Sequence, residues 1–137
     1  MSIFGEVFDV TDGVGYYGEK ASYEVFAGRD ATPCFSSGIF NDTGAEADID
    51  TVPNKDLVTI EEWRNFYANS EKYFRVGVLQ GVYYDANGEP TSKLRKTMER
   101  LGLGKQEAAR IRKERAAIRA KKLKDREAKR KAEGNFF

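Results

Sequence analysis

The last third of this chain offers almost nothing with which to build a core, so the fold is confined to what precedes it. From Lys105 to Glu133 the sequence runs through Ala, Lys, Arg and Glu with no proline or glycine, and Ile111 and Ile118 leave only a thin apolar line. Such a run predicts a continuous helix about 43 Å long at 1.5 Å per residue, surrounded by solvent or by a partner. Charge divides in the same region. Residues 1–91 carry 6 Lys/Arg against 16 Asp/Glu, net −10, whereas residues 92–137 carry 17 against 6, net +11. The near-neutral total therefore conceals two oppositely charged parts. We expect one small domain over residues 1–91 and a basic helical extension over residues 92–137.

Within the first part, Val7-Phe8-Asp9-Val10 reads as a short strand closed by the turn cluster Thr11-Asp12-Gly13. Thr59 and Glu62 form a capping box, with Val58 and Trp63 spaced as a hydrophobic staple. They predict a helix from Ile60 whose buried face carries Ile60, Trp63 and Phe66 or Tyr67. From Phe74 the period becomes two, placing Phe74, Val76 and Val78 on one side of a strand and Arg75 and Gly77 on the other. Val82-Tyr83-Tyr84 is a further strand candidate, Asn87-Gly88 a tight turn, and Pro90 closes the domain. The mixture predicts a small α+β fold.

Several chemistries are excluded by what is missing. Cys34 is the single cysteine, which rules out an internal disulfide and points to an intracellular, reducing setting rather than secretion. Its default role is that of a small buried apolar residue. With no histidine in the chain, no pair of nucleophile and base can be assembled, so we expect no enzyme. No apolar run approaches the roughly 20 residues needed to cross a bilayer. The first residues are acidic and poor in arginine, unlike a transit peptide, so a mitochondrial or plastid location would require a presequence ahead of this numbering. Asn41-Asp42-Thr43 spells a glycosylation sequon, but no signal-peptide run precedes it. Gly13-Val14-Gly15-Tyr16-Tyr17-Gly18 matches the dinucleotide-binding pattern, yet Glu19 to Ala27 has no helical apolar period and the chain is too short for that fold. The acidic stretch 41–50 lacks calcium-loop spacing and reads as a solvated loop.

The tyrosines remain. Ferric haem accepts a phenolate ligand, as in catalase, and without histidine an iron cofactor here would need phenolic oxygen. A free phenol titrates near pH 10, so at neutral pH its anion needs the metal's charge and usually a neighbouring donor or cation. Read from the residues alone, Tyr17, Tyr23 and Tyr73 serve more readily as core aromatics with locally satisfied hydroxyls.

Specific words then enter in one order along the chain: Gly5-Glu6-Val7-Phe8-Asp9-Val10-Thr11, the Tyr16 to Ala31 stretch ending in Phe26-Ala27-Gly28-Arg29-Asp30-Ala31, Phe66-Tyr67, Lys72-Tyr73, Val76-Gly77, Gly81-Val82-Tyr83-Tyr84 and Gly88-Glu89-Pro90-Thr91. Over about Gly5 to Thr91 the chain resembles the cytochrome b5-like haem/steroid-binding domains of the membrane-associated progesterone receptor, neudesin and neuferricin group. The resemblance implies a b-type haem, with Tyr23 as iron ligand, Tyr17 as the neighbour that hydrogen-bonds near it, and Lys72 and Tyr73 at the pocket rim. Lys72 would meet a haem propionate. Both rim residues reach one ligand only if Lys72 precedes the strand, because adjacent strand residues point to opposite faces.

Two departures from the family pattern bear on the fold. Only Met1 and Ser2-Ile3-Phe4 precede Gly5, where the family has a helix and a strand, so the resemblance implies an N-terminally shortened domain. Thr32-Pro33 and Ser36-Ser37-Gly38 predict a short or broken helix after Ala31. The expectation is a non-enzymatic, tyrosinate-type haem-binding domain attached to protein partners in a larger assembly through residues 105–133. RNA or an anionic membrane surface are the other partners such a basic helix suits. The alternative is a cofactor-free structural subunit of a respiratory, photosynthetic or ribosomal complex.

Overall fold

The computed structural model describes residues 1–134; the last three positions of the extension expected over 92–137 lie outside the described residues. The chain divides into two compact units, Met1–Gly104 and Lys105 onward. The first is an α+β unit around a three-stranded antiparallel sheet of β1 (Ser2–Ile3), β2 (Glu6–Asp9) and β3 (Phe74–Val78), in that order. β2 is central, and its register against β3 shifts between Val7 and Phe8.

Between β2 and β3 the chain forms short helices: α1 (Val14–Tyr17), α2 (Cys34–Ser37), α3 (Asp42–Ala45) and the longer α4 (Asn54–Ala68). α2 is a single turn ended by Gly38 at φ 69°, so the helix after Ala31 is short, as Pro33 and Gly38 dictate. α4 begins earlier than the capping box predicts. Pro53 stands immediately before it, and the Pro53 carbonyl accepts from the backbone N–H groups of Asp56 and Leu57. Proline supplies a suitable start at Asn54 and leaves Thr59 inside the helix. The earlier start adds Leu57 to the inward stripe. Leu57, Ile60 and Tyr67 are buried, whereas Trp63 and Phe66 are 45% and 53% exposed. Residues 82–84, a strand candidate by composition, form a turn with isolated bridges from Tyr84 to Gln80 and Pro90.

The Arg-Asp-Ala word works as a buckle in this fold. The Asp30 carboxylate accepts from the hydroxyls of Ser2 and Thr32, both at 2.8 Å, and Thr32 Oγ1 in turn accepts from the Phe4 backbone N–H at 2.8 Å. Burial pushes the Asp30 carboxyl above the usual range in spite of these bonds. Glu6 ties the sheet to α4: its carboxylate pairs with Arg64 and lies 3.4 Å from Arg75. Burial raises its pKa, but the two guanidinium groups outweigh that and hold it below the ordinary glutamate value.

A last helix, α5, runs Ser92–Gly134 without a break at Gly102-Leu103-Gly104. In the first unit it buries Leu94, Thr97, Leu101 and Gly104. Arg100 donates to Asn54 Oδ1 at 2.9 Å and to the carbonyls of Ile49, at 3.1 Å, and Val52. In the second unit residues 112–134 are exposed, and Arg110 pairs with Glu114 at 3.2 Å.

Two glycines of α5 make a paired test. A Cβ on Gly104 would sit 2.1 Å from the Asn54 carbonyl oxygen, whereas one on Gly102 would meet nothing within 4 Å. Gly102→Ala should raise stability by up to about 1 kcal/mol through helix propensity. Gly104→Ala should lower it by about 1–3 kcal/mol through overpacking, despite the same gain. Urea unfolding of the two variants checks the opposite signs.

Candidate functional site

Three tyrosines from separate elements meet inside the first unit. Tyr17 ends α1, Tyr67 lies in the last turn of α4, and Tyr73 immediately precedes β3. All three are buried. Tyr73 is set by a turn in which Ser70 Oγ accepts from the backbone N–H groups of Lys72 and Tyr73 at 3.0 and 3.3 Å. Gly13 gives the rings their space: a Cβ there would fall 2.7 Å from Tyr73 Oη and 2.9 Å from Tyr17 Cδ2. The Tyr17 and Tyr67 hydroxyls are hydrogen-bonded to each other. Ring centroids lie 5.9 Å apart for Tyr17 and Tyr73, and 5.4 Å for Tyr67 and Tyr73.

Burial, followed by the bond to Tyr67, pushes the Tyr17 phenol far above its ordinary pKa. Burial also raises Tyr67. Both therefore keep their protons at neutral pH.

Tyr23 occupies a different environment. It is half-buried, lies parallel to Phe26 at 5.5 Å and meets Phe40 edge-on at 5.6 Å. Its ring is 6.0 Å from that of Tyr17. Tyr17, Tyr23, Tyr67 and Tyr73 line a cleft of about 460 Å³ that Phe26 and Phe35 complete below and Tyr16, Phe40, Trp63 and Phe66 border. The last four are between 45% and 56% exposed. The result is a contiguous aromatic surface open to solvent.

The four residues expected at the site thus come together, with one difference in detail. Tyr17, Tyr23 and Tyr73 line the cleft. Lys72 stands at its edge, its ammonium 5.8 Å from the Tyr16 ring centroid and 5.6 Å from that of Tyr73. It precedes β3, which frees it from the alternation of the strand. The difference is that the hydroxyl of Tyr17 engages Tyr67, a residue that sequence reasoning placed only on a buried helix face. The legible signal was a surplus of aromatics: Trp63, Phe66 and Tyr67 exceed what one buried stripe of α4 can hold.

Among the described residues, no group of three or more His, Cys, Asp or Glu is placed to hold a metal ion. Phenols and the hydroxyls of Ser36 and Ser37 are the side-chain oxygens that line the cleft.

The sequence profile described as "Cytochrome b5-like Heme/Steroid binding domain" matches residues 1–101. The chain belongs to that family. It is 39% identical over 101 residues to a neuferricin homolog of Caenorhabditis briggsae, covering 74% of this chain and 30% of that protein. It is 40% identical over 106 residues to membrane-associated progesterone-binding protein 4 of Arabidopsis thaliana, covering 77% and 42%. Neuferricin of Mus musculus is 36% identical over 94 residues, covering 69% and 35%. The chain thus spans well under half the length of these curated relatives. No solved structure matches it significantly. Among the described residues no helix is long and apolar enough to cross a membrane.

The buried phenols predict alkaline lability. A phenol whose folded pKa is raised stabilises the fold fully below the unfolded value near 10, and that contribution is lost as pH climbs toward the folded value. Stability should fall from about pH 10 upward. In Tyr17→Phe the fall should be shallower, while stability at pH 7 drops by about 1–3 kcal/mol because the Tyr67 hydroxyl loses its partner. Urea unfolding at pH 7 to 11 measures both.

Proposed function

We propose that this chain is a haem-binding module without catalytic activity, in which Tyr23 is the iron ligand. The observation that carries this reading is a half-buried phenol set in an open aromatic cleft beside two protonated phenols, in a chain with no histidine. The residues present suit the group. Aromatic walls accept a flat macrocycle, Tyr23 offers an oxygen donor, and the Lys72 ammonium at the edge offers a cation for an ionised propionate. When bound, haem supplies a redox-active iron held through protein oxygen.

The chain's own side chains have separable tasks in this reading. Phe26, parallel to Tyr23, limits the tilt of that ring. The Tyr17 and Tyr67 pair holds its protons and keeps the floor of the cleft rigid. Burial raises the Cys34 thiol above its usual pKa, so it stays protonated and does not compete as a ligand. A free, fully buried thiol also supports an intracellular setting. The basic helix beyond Gly104 is the element that attaches the module to its assembly, its exposed and mainly cationic surface being suited to an anionic partner.

Titration of the purified chain with ferric haem, followed by absorption, tests the ligand. A saturable one-to-one complex with a high-spin tyrosinate spectrum is expected, together with loss of that spectrum and at least a tenfold weaker affinity in Tyr23→Phe. Retention of both in a Tyr23→Phe protein with unchanged circular dichroism would refute the assignment. Lys72→Gln should weaken binding about three- to tenfold without changing the spectrum, in line with about 1 kcal/mol for an exposed ion pair.

A further inference from the structure

The second unit carries a pattern that total charge does not reveal. Arg112, Arg115, Arg119, Lys122, Arg126 and Arg130 follow one another at steps of three or four residues along α5. At 100° per residue they fall within about 80° of arc, and the stripe is about 27 Å long. All six are exposed. Glu114, Asp125 and Glu127 fall on other faces by the same arithmetic, so no carboxylate interrupts the stripe between Arg112 and Arg130. Its composition is also uneven, because five of the six are arginine while Lys113, Lys121 and Lys124 lie on the far side.

We propose that this stripe binds the phosphate backbone of a double-stranded nucleic acid, without reading its sequence. The proposal rests on the reading of the helix as an attachment element and identifies the partner. A stable protein interface needs buried aromatic or aliphatic anchors, and the stripe has none. Insertion into a membrane needs an apolar face, and Ile111, Ile118 and Leu123 do not gather into one. Single strands are held by aromatic stacking, and Lys105 to Glu133 contains no aromatic residue. A linear array of phosphates requires none of these features. It rewards closely spaced guanidinium forks, which grip phosphate oxygens in pairs, on a rod narrow enough to lie along a groove. The region also lacks the Asn, Gln, Ser and Thr side chains that commonly assist base-edge reading, apart from Gln106 ahead of the stripe. With a whole-chain net charge of +1, attraction must come from this local array.

The test uses the full chain and fluorescence anisotropy with a 20-base-pair duplex of arbitrary sequence, at several salt concentrations. Arg115→Gln/Arg119→Gln/Arg126→Gln removes three charges from the stripe, and Lys113→Gln/Lys121→Gln/Lys124→Gln removes three from the far side. We expect the first variant to bind at least tenfold more weakly, with the slope of log K against log salt reduced by about 3 for DNA. The second should change affinity less than threefold. Changing the duplex sequence should have no effect. Equal losses in the two variants would overturn the proposal, as would no duplex binding at low salt or tighter binding to a single strand of the same length. Stripe-dependent binding to phosphatidylserine vesicles without duplex binding would also overturn it, yet leave the attachment reading standing. Haem titration of both variants should match the unaltered chain, so failure of the helix proposal is separable from failure at Tyr23.

Discussion

The hydroxyl contact between Tyr17 and Tyr67 is the interaction on which the rest of the cleft depends. It joins the end of α1 to the last turn of α4, across 50 residues of chain. Two phenols buried without partners would each carry a desolvation cost; bonded to one another, they satisfy each other and set the separation of the two elements. Tyr73 packs against both rings, and Gly13 is small enough to let that happen. Once these three side chains are in place, Tyr23 and the bordering aromatics have a rigid base from which to face outward.

This arrangement separates two kinds of tyrosine in one small unit. Tyr17 and Tyr67 are raised in pKa by burial and act as neutral struts. Tyr23 sits on the accessible side, stacked on Phe26 and open to the cleft. Burial sets Tyr17 and Tyr67 apart, because desolvation penalises the anion where water is excluded.

The rest of the first unit holds this base in position through polar contacts that cross long stretches of chain. Asp30 secures the loop ahead of α2 to β1 through Ser2 and Thr32. Arg100 gathers the carbonyls of Ile49 and Val52 with the side chain of Asn54, where α4 begins. Glu6 links β2 to α4 and β3. Each ties down at least one segment too short to be stable alone, and each uses a charged group with hydrogen-bond partners in another element.

The sequence by itself determined the class of the fold, β2 and β3, the long helix and the broken helix after Pro33, and, through its resemblance to the family's words, that Tyr17, Tyr23, Lys72 and Tyr73 lie near one another. These features depend on local rules: period-two alternation, proline and glycine punctuation, charge density and a distinctive word such as Phe-Ala-Gly-Arg-Asp-Ala. Tertiary structure decided where α4 starts, which of its aromatics turn inward, and that residues 82–84 form a turn. It also decided that Tyr17 pairs with Tyr67. The helix starts after Pro53 rather than at the Thr59 capping box, its inward stripe is Leu57, Ile60 and Tyr67, and Trp63 and Phe66 stand at the border of the cleft. No local pattern encodes a contact between residues 17 and 67, because which hydroxyl satisfies which depends on how distant elements meet once the core has closed.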